Sequence, residues 1–248
     1  MNSPARQNAP VTVVLVPGFT QTASSWSAVA RVVAESCDVR AVDLQDAGDF
    51  ATTASAIGAA GGPGIYAGYS MGGRLCLRLA LDRPELVHGL VLVSGTPGIE
   101  DRAERAARVA SDEGWAQLAE RSGVDAFLEQ WLAQPMFATV PRDAPGLADR
   151  RSLTPAFLAA CLRQLGTGAM EPMWDRLPAL TMPVLLVTGT RDGKFTAIAR
   201  RMLDLVRADA THAELDGGHA LLLEQPDALG ELIAAFASQA EIRRPGRS

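Results

Sequence analysis

Residues 68–72 read Gly-Tyr-Ser-Met-Gly, with a strand-like run at 65–67 before them and a helix-like run at 74–80 after them. A serine on a strand-to-helix turn is lifted clear of its sheet, and flanking glycines let the backbone turn tightly and the helix pack closely. The Ser70 hydroxyl would stand at a helix N-terminus, where free N–H groups stabilise negative charge. A serine hydroxyl is a poor nucleophile and a poor base unless a neighbour takes its proton. The chain has three histidines, His88, His212 and His219. His219 lies in the turn Asp216-Gly217-Gly218-His219 after the last strand signal, which puts it at the same sheet rim as Ser70. His88 precedes a strand and is expected at the opposite rim, while His212 falls inside the last strand as a structural histidine. Of the aspartates, Asp43 precedes the serine, Asp175 lies in the helical stretch, and Asp209 and Asp216 flank the last strand. Asp192, in Gly189-Thr190-Arg191-Asp192 at a strand end, is the acid expected to orient the imidazole and stabilise the imidazolium. Two backbone N–H donors would complete an oxyanion hole, from Met71 after the serine and from Phe19 in the loop after the first strand. Arg74, one helical turn beyond Ser70, offers a fork for a carboxylate. The sequence leaves open whether it does so or sits on the outer helix face.

These groups need a scaffold that brings strand ends together. Residues 11–16, 65–69, 89–93 and 183–187 are apolar, largely β-branched runs of the kind buried on both faces in parallel sheets. Residues 39–44 and 211–215 supply two more strands, and helical spacing lies between them, as at Trp26, Val29, Ala30 and Val33. Alternating strands and helices predict a doubly wound, mostly parallel sheet. The rhythm breaks at 98–178, which carries helix signals alone. Short helices are expected at 103–110, 115–119 and 124–133, and another starts at Thr154-Pro155 with a cap before proline. The expected organisation is a leader at 1–10, a core from 11–98 and 179–240, a helical cap at 99–178 and a basic tail at 241–248. The Gly/Ala-rich segment 58–64 reads as a loop.

The chain has 248 residues, enough for one domain with an insertion, and a net charge of −5, which argues against a nucleic-acid partner. Cys37, Cys76 and Cys161 lack metal or redox spacing and read as reduced thiols. The histidines are not at zinc spacing, so no metal is expected. No apolar run reaches the length of a membrane span, and the first ten residues lack an apolar signal core, so a cytoplasmic location is the default.

Several segments together resemble one family, the 2-succinyl-6-hydroxy-2,4-cyclohexadiene-1-carboxylate synthases of menaquinone biosynthesis, which have the α/β-hydrolase fold. They are GYSMGGR at 68–74, LVSGTPGIED at 92–101, WLAQPMF at 131–137, LRQLGTGAMEPMWDRLP at 162–178, GTRDGKF at 189–195 and GGHALLLEQP at 217–226. Pro17-Gly18 stands where that family often has His-Gly, and residues 43–48 replace its usual Pro-Gly-His-Gly loop. The resemblance implies elimination of pyruvate from an enolpyruvyl ether, without metal or organic cofactor. It implies a triad of Ser70, Asp192 and His219, and substrate contacts from Tyr69, Arg74, Arg108, Trp131 and a further arginine, Arg150 or, preferred, Arg151. A small anionic substrate gives such arginines a role, because a carboxylate buried from water needs a paired charge or donor. The cap offers Arg102, Arg105, Arg108, Arg142, Arg150 and Arg151. Two other readings are an ester or C–C bond hydrolase with Ser70 as covalent nucleophile, and a binding protein that keeps the fold. The sequence is silent on oligomeric state.

Overall fold

A computed structural model describes residues 10–44, 48–141, 144 and 147–242. Residues 1–9 of the expected leader, Gln45 to Ala47 of the altered loop, Arg142 and residues 243–248 of the tail lie outside the described residues.

Six parallel strands form one sheet in the order β2-β1-β3-β4-β5-β6. They are β1 (Thr12–Val16), β2 (Asp38–Ala41), β3 (Gly64–Tyr69), β4 (Val87–Val93), β5 (Val184–Gly189) and β6 (Ala210–Leu215). The helices are α1 (Ser27–Val33), α2 (Phe50–Gly61), α3 (Met71–Asp82), α4 (Arg102–Leu132), α5 (Pro155–Leu165), α6 (Gly193–Leu205), α7 (Leu221–Glu224) and α8 (Pro226–Ile242). The strand order reverses between β1 and β3, so the loops after these neighbours diverge and leave a crevice at their C-terminal ends. Phe19 follows one of these strands and Ser70 the other.

The central strands are buried on both faces, which is why they read as continuous apolar runs. Val14, Val16, Tyr66, Leu90, Leu92, Val184 and Leu186 pack toward α2, α3 and α6. Val13, Leu15, Ile65, Ala67, Val91, Val93, Leu185 and Val187 pack toward α1 and α8. Adjacent residues in one strand thus serve opposite layers, as the two-residue period of a strand requires.

Three expectations need correction. α2 extends through Gly61 and takes in half of the segment read as a loop; Asp49 caps it, accepting from the Thr52 N–H at 2.8 Å. The helices expected at 103–110, 115–119 and 124–133 are one long element, α4, broken only at Gly123, where φ is +78° and only glycine is at ease. His88 lies inside β4 and is half-buried rather than before the strand. The start of α5 is as expected: Thr154 accepts from the Phe157 N–H at 3.1 Å, with Pro155 as first helical residue.

Between β4 and β5 the chain leaves the sheet to form α4 and α5, which share a separate cluster of Ala116, Ala119, Phe127, Leu128, Trp131, Leu158, Ala159 and Leu162. All three cysteines are free and buried. Among the described residues no helix is long and apolar enough to cross a membrane.

Candidate active site

Ser70 sits between β3 and α3 with φ 51° and ψ −106°, a backbone state that side-chain-bearing residues seldom adopt. Its N–H donates to the Val93 carbonyl at 2.9 Å, and its own carbonyl accepts from the Arg74 N–H at 3.1 Å to close the first turn of α3. The flanking glycines have a steric reason. A Cβ on Gly68 would lie 2.5 Å from the Gly72 carbonyl oxygen, and one on Gly72 would lie 2.4 Å from the carbonyl oxygens of Val16 and Pro17. Among the described residues the non-glycine positions with positive φ are Thr20, Ser70 and Ser94. They follow β1, β3 and β4, so the strain is collected at one rim of the sheet, where functional sites hold it.

His219 reaches the same point from the loop after β6. Its Nε2 lies 3.2 Å from Ser70 Oγ and its Nδ1 2.7 Å from Asp192 Oδ2. A carboxylate accepts, so Nδ1 carries the proton and Nε2 turns its lone pair toward the serine hydroxyl. Asp192 ends the loop after β5 and starts α6; its N–H donates to the Gly189 carbonyl at 2.9 Å. Gly189 must be bare, because a Cβ there would lie 2.2 Å from the Gly218 carbonyl oxygen. That close approach brings the Asp192 and His219 loops together. The imidazole is 2% exposed, with the rings of Phe195, Tyr69 and Phe137 at 4.5, 5.4 and 6.3 Å. Burial and the nearby carboxylates of Asp192 and Glu224 raise the Tyr69 phenol above its ordinary range, although Arg150 opposes them.

A cavity of about 200 Å³ opens over Ser70, between the strand ends and α4 and α5. Phe19, Tyr69, Met71, Arg74, Arg108 and Trp131 all line it. Met71 is the first residue of α3, so its N–H has no acceptor within the helix. The Phe19 turn is locked by Gln21, whose side chain accepts from the Gly18 N–H at 3.1 Å. Trp131 packs edge-on to Phe19 at 4.9 Å and stacks on Phe127 at 5.7 Å.

Burial excludes the outer helix face for Arg74. It is 6% exposed and turns inward, donating to the Leu165 carbonyl at 2.7 Å and to the Met170 sulfur at 3.3 Å. Burial, then the Arg108 charge, pulls its pKa down to about 9, while Asp112 opposes the fall. Arg108 donates from Nε to Asp112 at 2.9 Å, one turn along α4.

Arg151 is corrected. Its side chain is 70% exposed and pairs with Asp125 at 2.8 Å, away from the cavity. Arg150 is the inward neighbour, 2% exposed, donating to Thr20 Oγ1 at 2.6 Å, but it does not line the cavity either. The two are consecutive in a short 3-10 turn, 148–152, so only one can face inward. His212 is structural as expected, with Nε2 2.8 Å from Thr188 Oγ1. Ser94 and Asp112 line the cavity without having been singled out from the sequence. The only signal for Asp112 was its position four residues after Arg108 on a helix.

A serine, an aspartate and a histidine in this chain order, meeting in this geometry on a doubly wound parallel sheet, define an α/β-hydrolase. The sequence model of the Alpha/beta hydrolase family matches residues 13–232. A putative 2-succinyl-6-hydroxy-2,4-cyclohexadiene-1-carboxylate synthase of Bacillus subtilis is 34% identical over 174 residues, 68% of this chain. That match spans 64% of the relative, so the chain aligns with just under two thirds of its length. The synthase of Escherichia coli O1:K1 is 31% identical over 179 residues, 71% of this chain and 67% of the relative. MenH from S. aureus superposes with a TM-score of 0.85 at 24% identity, over 96% of this chain and 97% of that one, a likeness of fold. The chain belongs to the 2-succinyl-6-hydroxy-2,4-cyclohexadiene-1-carboxylate synthase family of α/β-hydrolases.

Proposed function

We propose that the protein is a carbon–oxygen lyase of menaquinone biosynthesis. It eliminates pyruvate from 2-succinyl-5-enolpyruvyl-6-hydroxy-3-cyclohexene-1-carboxylate to give 2-succinyl-6-hydroxy-2,4-cyclohexadiene-1-carboxylate. Ser70, made basic by His219, takes the ring proton next to the succinyl ketone. Negative charge passes to the ketone oxygen, where the N–H groups of Phe19 and Met71 stabilise it. As that charge returns through the ring, the bond from carbon to the enolpyruvyl oxygen breaks and the conjugated diene forms. The departing enolate takes up a proton and becomes pyruvate. Asp192 holds the imidazole in its tautomer throughout. Arg74 and Arg108 pair with substrate carboxylates, and Tyr69 and Trp131 shape the walls.

The observation that carries this reading is Arg74, a buried guanidinium in the cavity wall, bonded to a neutral carbonyl and a thioether. A cavity for neutral esters gains nothing from a desolvated cation; one for a polycarboxylate does. The test generates the enolpyruvyl substrate in place and follows pyruvate release and diene absorbance. Wild type should turn over rapidly. Ser70→Ala and His219→Ala should lose activity by roughly three or more powers of ten. No acceleration over the spontaneous reaction by folded wild type would sink the lyase. The hydrolase reading shares the 3.2 Å Ser70–His219 contact, which serves acyl transfer as well. An acyl-enzyme accumulating on Ser70 with an activated ester would favour it.

A further inference from the structure

Asp112 is an acid in a cavity read as a site for anions. It is 4% exposed, lines the cavity, and accepts from Arg108 Nε through Oδ1 at 2.9 Å. Its other oxygen, Oδ2, is buried with no hydrogen-bond partner among the described residues. Gly166 leaves room for that oxygen, since a Cβ there would come within 2.5 Å of it. An ionised carboxylate with one bare oxygen is a costly group to bury. Its surroundings explain how it is tolerated. Arg108 faces it from its own helix and Arg74 from α3. Cys161 on α5 lines the same cavity as a neutral thiol, its pKa pushed up to about 12 by burial. On the outer side Glu113 and Arg163 pair with each other at 2.7 Å.

A substrate carboxylate that engages Arg108 must come beside Asp112, and two carboxylates on one guanidinium repel. We propose that Asp112 is the charge-balancing residue of the cavity. It holds the Arg74–Arg108 pair while no anion is bound, and it takes up one proton from solvent when a substrate carboxylate displaces it from Arg108. The protonated acid then turns from a competing anion into a donor beside the bound substrate. Burial already pushes the Asp112 pKa above the ordinary carboxylate range, against the pull of both arginines. This rests on the reading of the cavity as an anion site and makes Asp112 a determinant of how much negative charge the site accepts.

The test is calorimetric titration of the whole protein with succinate near neutral pH, in buffers of different ionisation enthalpy. Wild type should take up a proton as succinate binds. Asp112→Asn should bind without uptake and more tightly, on the order of tenfold, because a fixed competing charge is gone. Asp112→Glu, which keeps the acid, should keep the uptake; it and the wild-type buffer series serve if the asparagine variant does not fold. Binding without proton uptake, uptake that survives in Asp112→Asn, or no succinate binding to wild type would each overturn the proposal. Pyruvate release is measured separately. Its failure with proton-linked succinate binding intact would overturn the lyase reading and leave Asp112 its role.

Discussion

Glu224 grips the turn that carries His219. Its two carboxylate oxygens accept from the N–H groups on either side of the histidine, Gly218 at 2.7 Å and Ala220 at 3.1 Å. Charge-assisted bonds of this kind fix a backbone where the glycines would otherwise leave it loose. Glu224 does not line the cavity, so it positions the His219 turn rather than touching what binds there. Glu224→Ala should lower kcat for pyruvate release on the order of 10–100-fold while KM moves little, because a misplaced base costs chemistry rather than binding. Glu224→Gln keeps acceptor capacity and should lie between the two. An alanine variant with wild-type kcat would show that the turn holds His219 without it.

The strained backbone of Ser70 makes a separate prediction about stability. Alanine at φ 51°, ψ −106° keeps the steric cost of its Cβ, whereas glycine removes it. Ser70→Gly should therefore unfold at higher denaturant than Ser70→Ala, with a difference of about 1 kcal/mol after allowing for the greater freedom of glycine in the unfolded chain. Both variants are inactive on the reading above, so the comparison is free of catalytic selection. An alanine variant as stable as the glycine one would mean that the turn relaxes and stores no strain.

Much of this was legible because parallel strands and elbows leave strong local traces. β1, β3, β4 and β5 have no solvent face, so their apolar runs are unbroken. β2 is exposed at three of its four positions, and the run read at 39–44 ran past its end at Ala41. α2 was hidden because its buried residues are Phe50, Thr53, Ala54, Ile57, Gly58 and Gly61, an inward face in which Phe50 and Ile57 alone are large and apolar. It lies tight against α3, where a Cβ on Gly58 would come within 2.7 Å of Leu79. Ser70, Asp192 and His219 could be chosen because each follows a strand at the same rim. Arg150 and Arg151 could not be separated, because adjacent residues in a 3-10 turn differ by a third of a rotation and the sequence offers nothing to fix the phase. Asp112 and Glu224 bond to groups only four to six residues away, but the cavity and the catalytic histidine that give those bonds meaning are assembled by the tertiary fold, which leaves little local signal.

The same closeness that hid α2 makes the elbow sensitive to a single methyl group. At Gly72 the obstruction is backbone: the carbonyl oxygens of Val16 and Pro17 lie 2.4 Å from where a Cβ would be. Neither can swing away as a side chain could, since both belong to the end of β1 and the start of the Phe19 loop. Gly72→Ala should cost roughly 3 kcal/mol in chemical denaturation and should displace Phe19 as well as Ser70. Gly114, whose Cβ would meet nothing within 4 Å, is the control, and Gly114→Ala on the surface of α4 should be neutral or stabilising. Equal stability of the two variants would contradict the close packing of α3 on β1.

The choice of arginine over lysine at position 74 has a physical reason that pH can test. Burial and the neighbouring Arg108 charge draw the Arg74 pKa down to about 9, from a starting point so high that the group is still charged at neutral pH. Anion binding favours the charged form. Affinity for the substrate carboxylates should therefore hold at neutral pH and weaken only as pH rises through about 9. An ordinary lysine starts roughly two units lower, so the same burial would bring it to pH ~7. Arg74→Lys should show a KM that rises already across the neutral range, approaching that of wild type only on the acid side. Arg74→Ala should raise KM at every pH where wild type is charged, by an amount corresponding to about 2–4 kcal/mol. The measurement is KM for pyruvate release against pH in all three proteins. A lysine variant that follows wild type throughout would mean that the charge at position 74 never meets the substrate, and the anion-clamp role would fall with it.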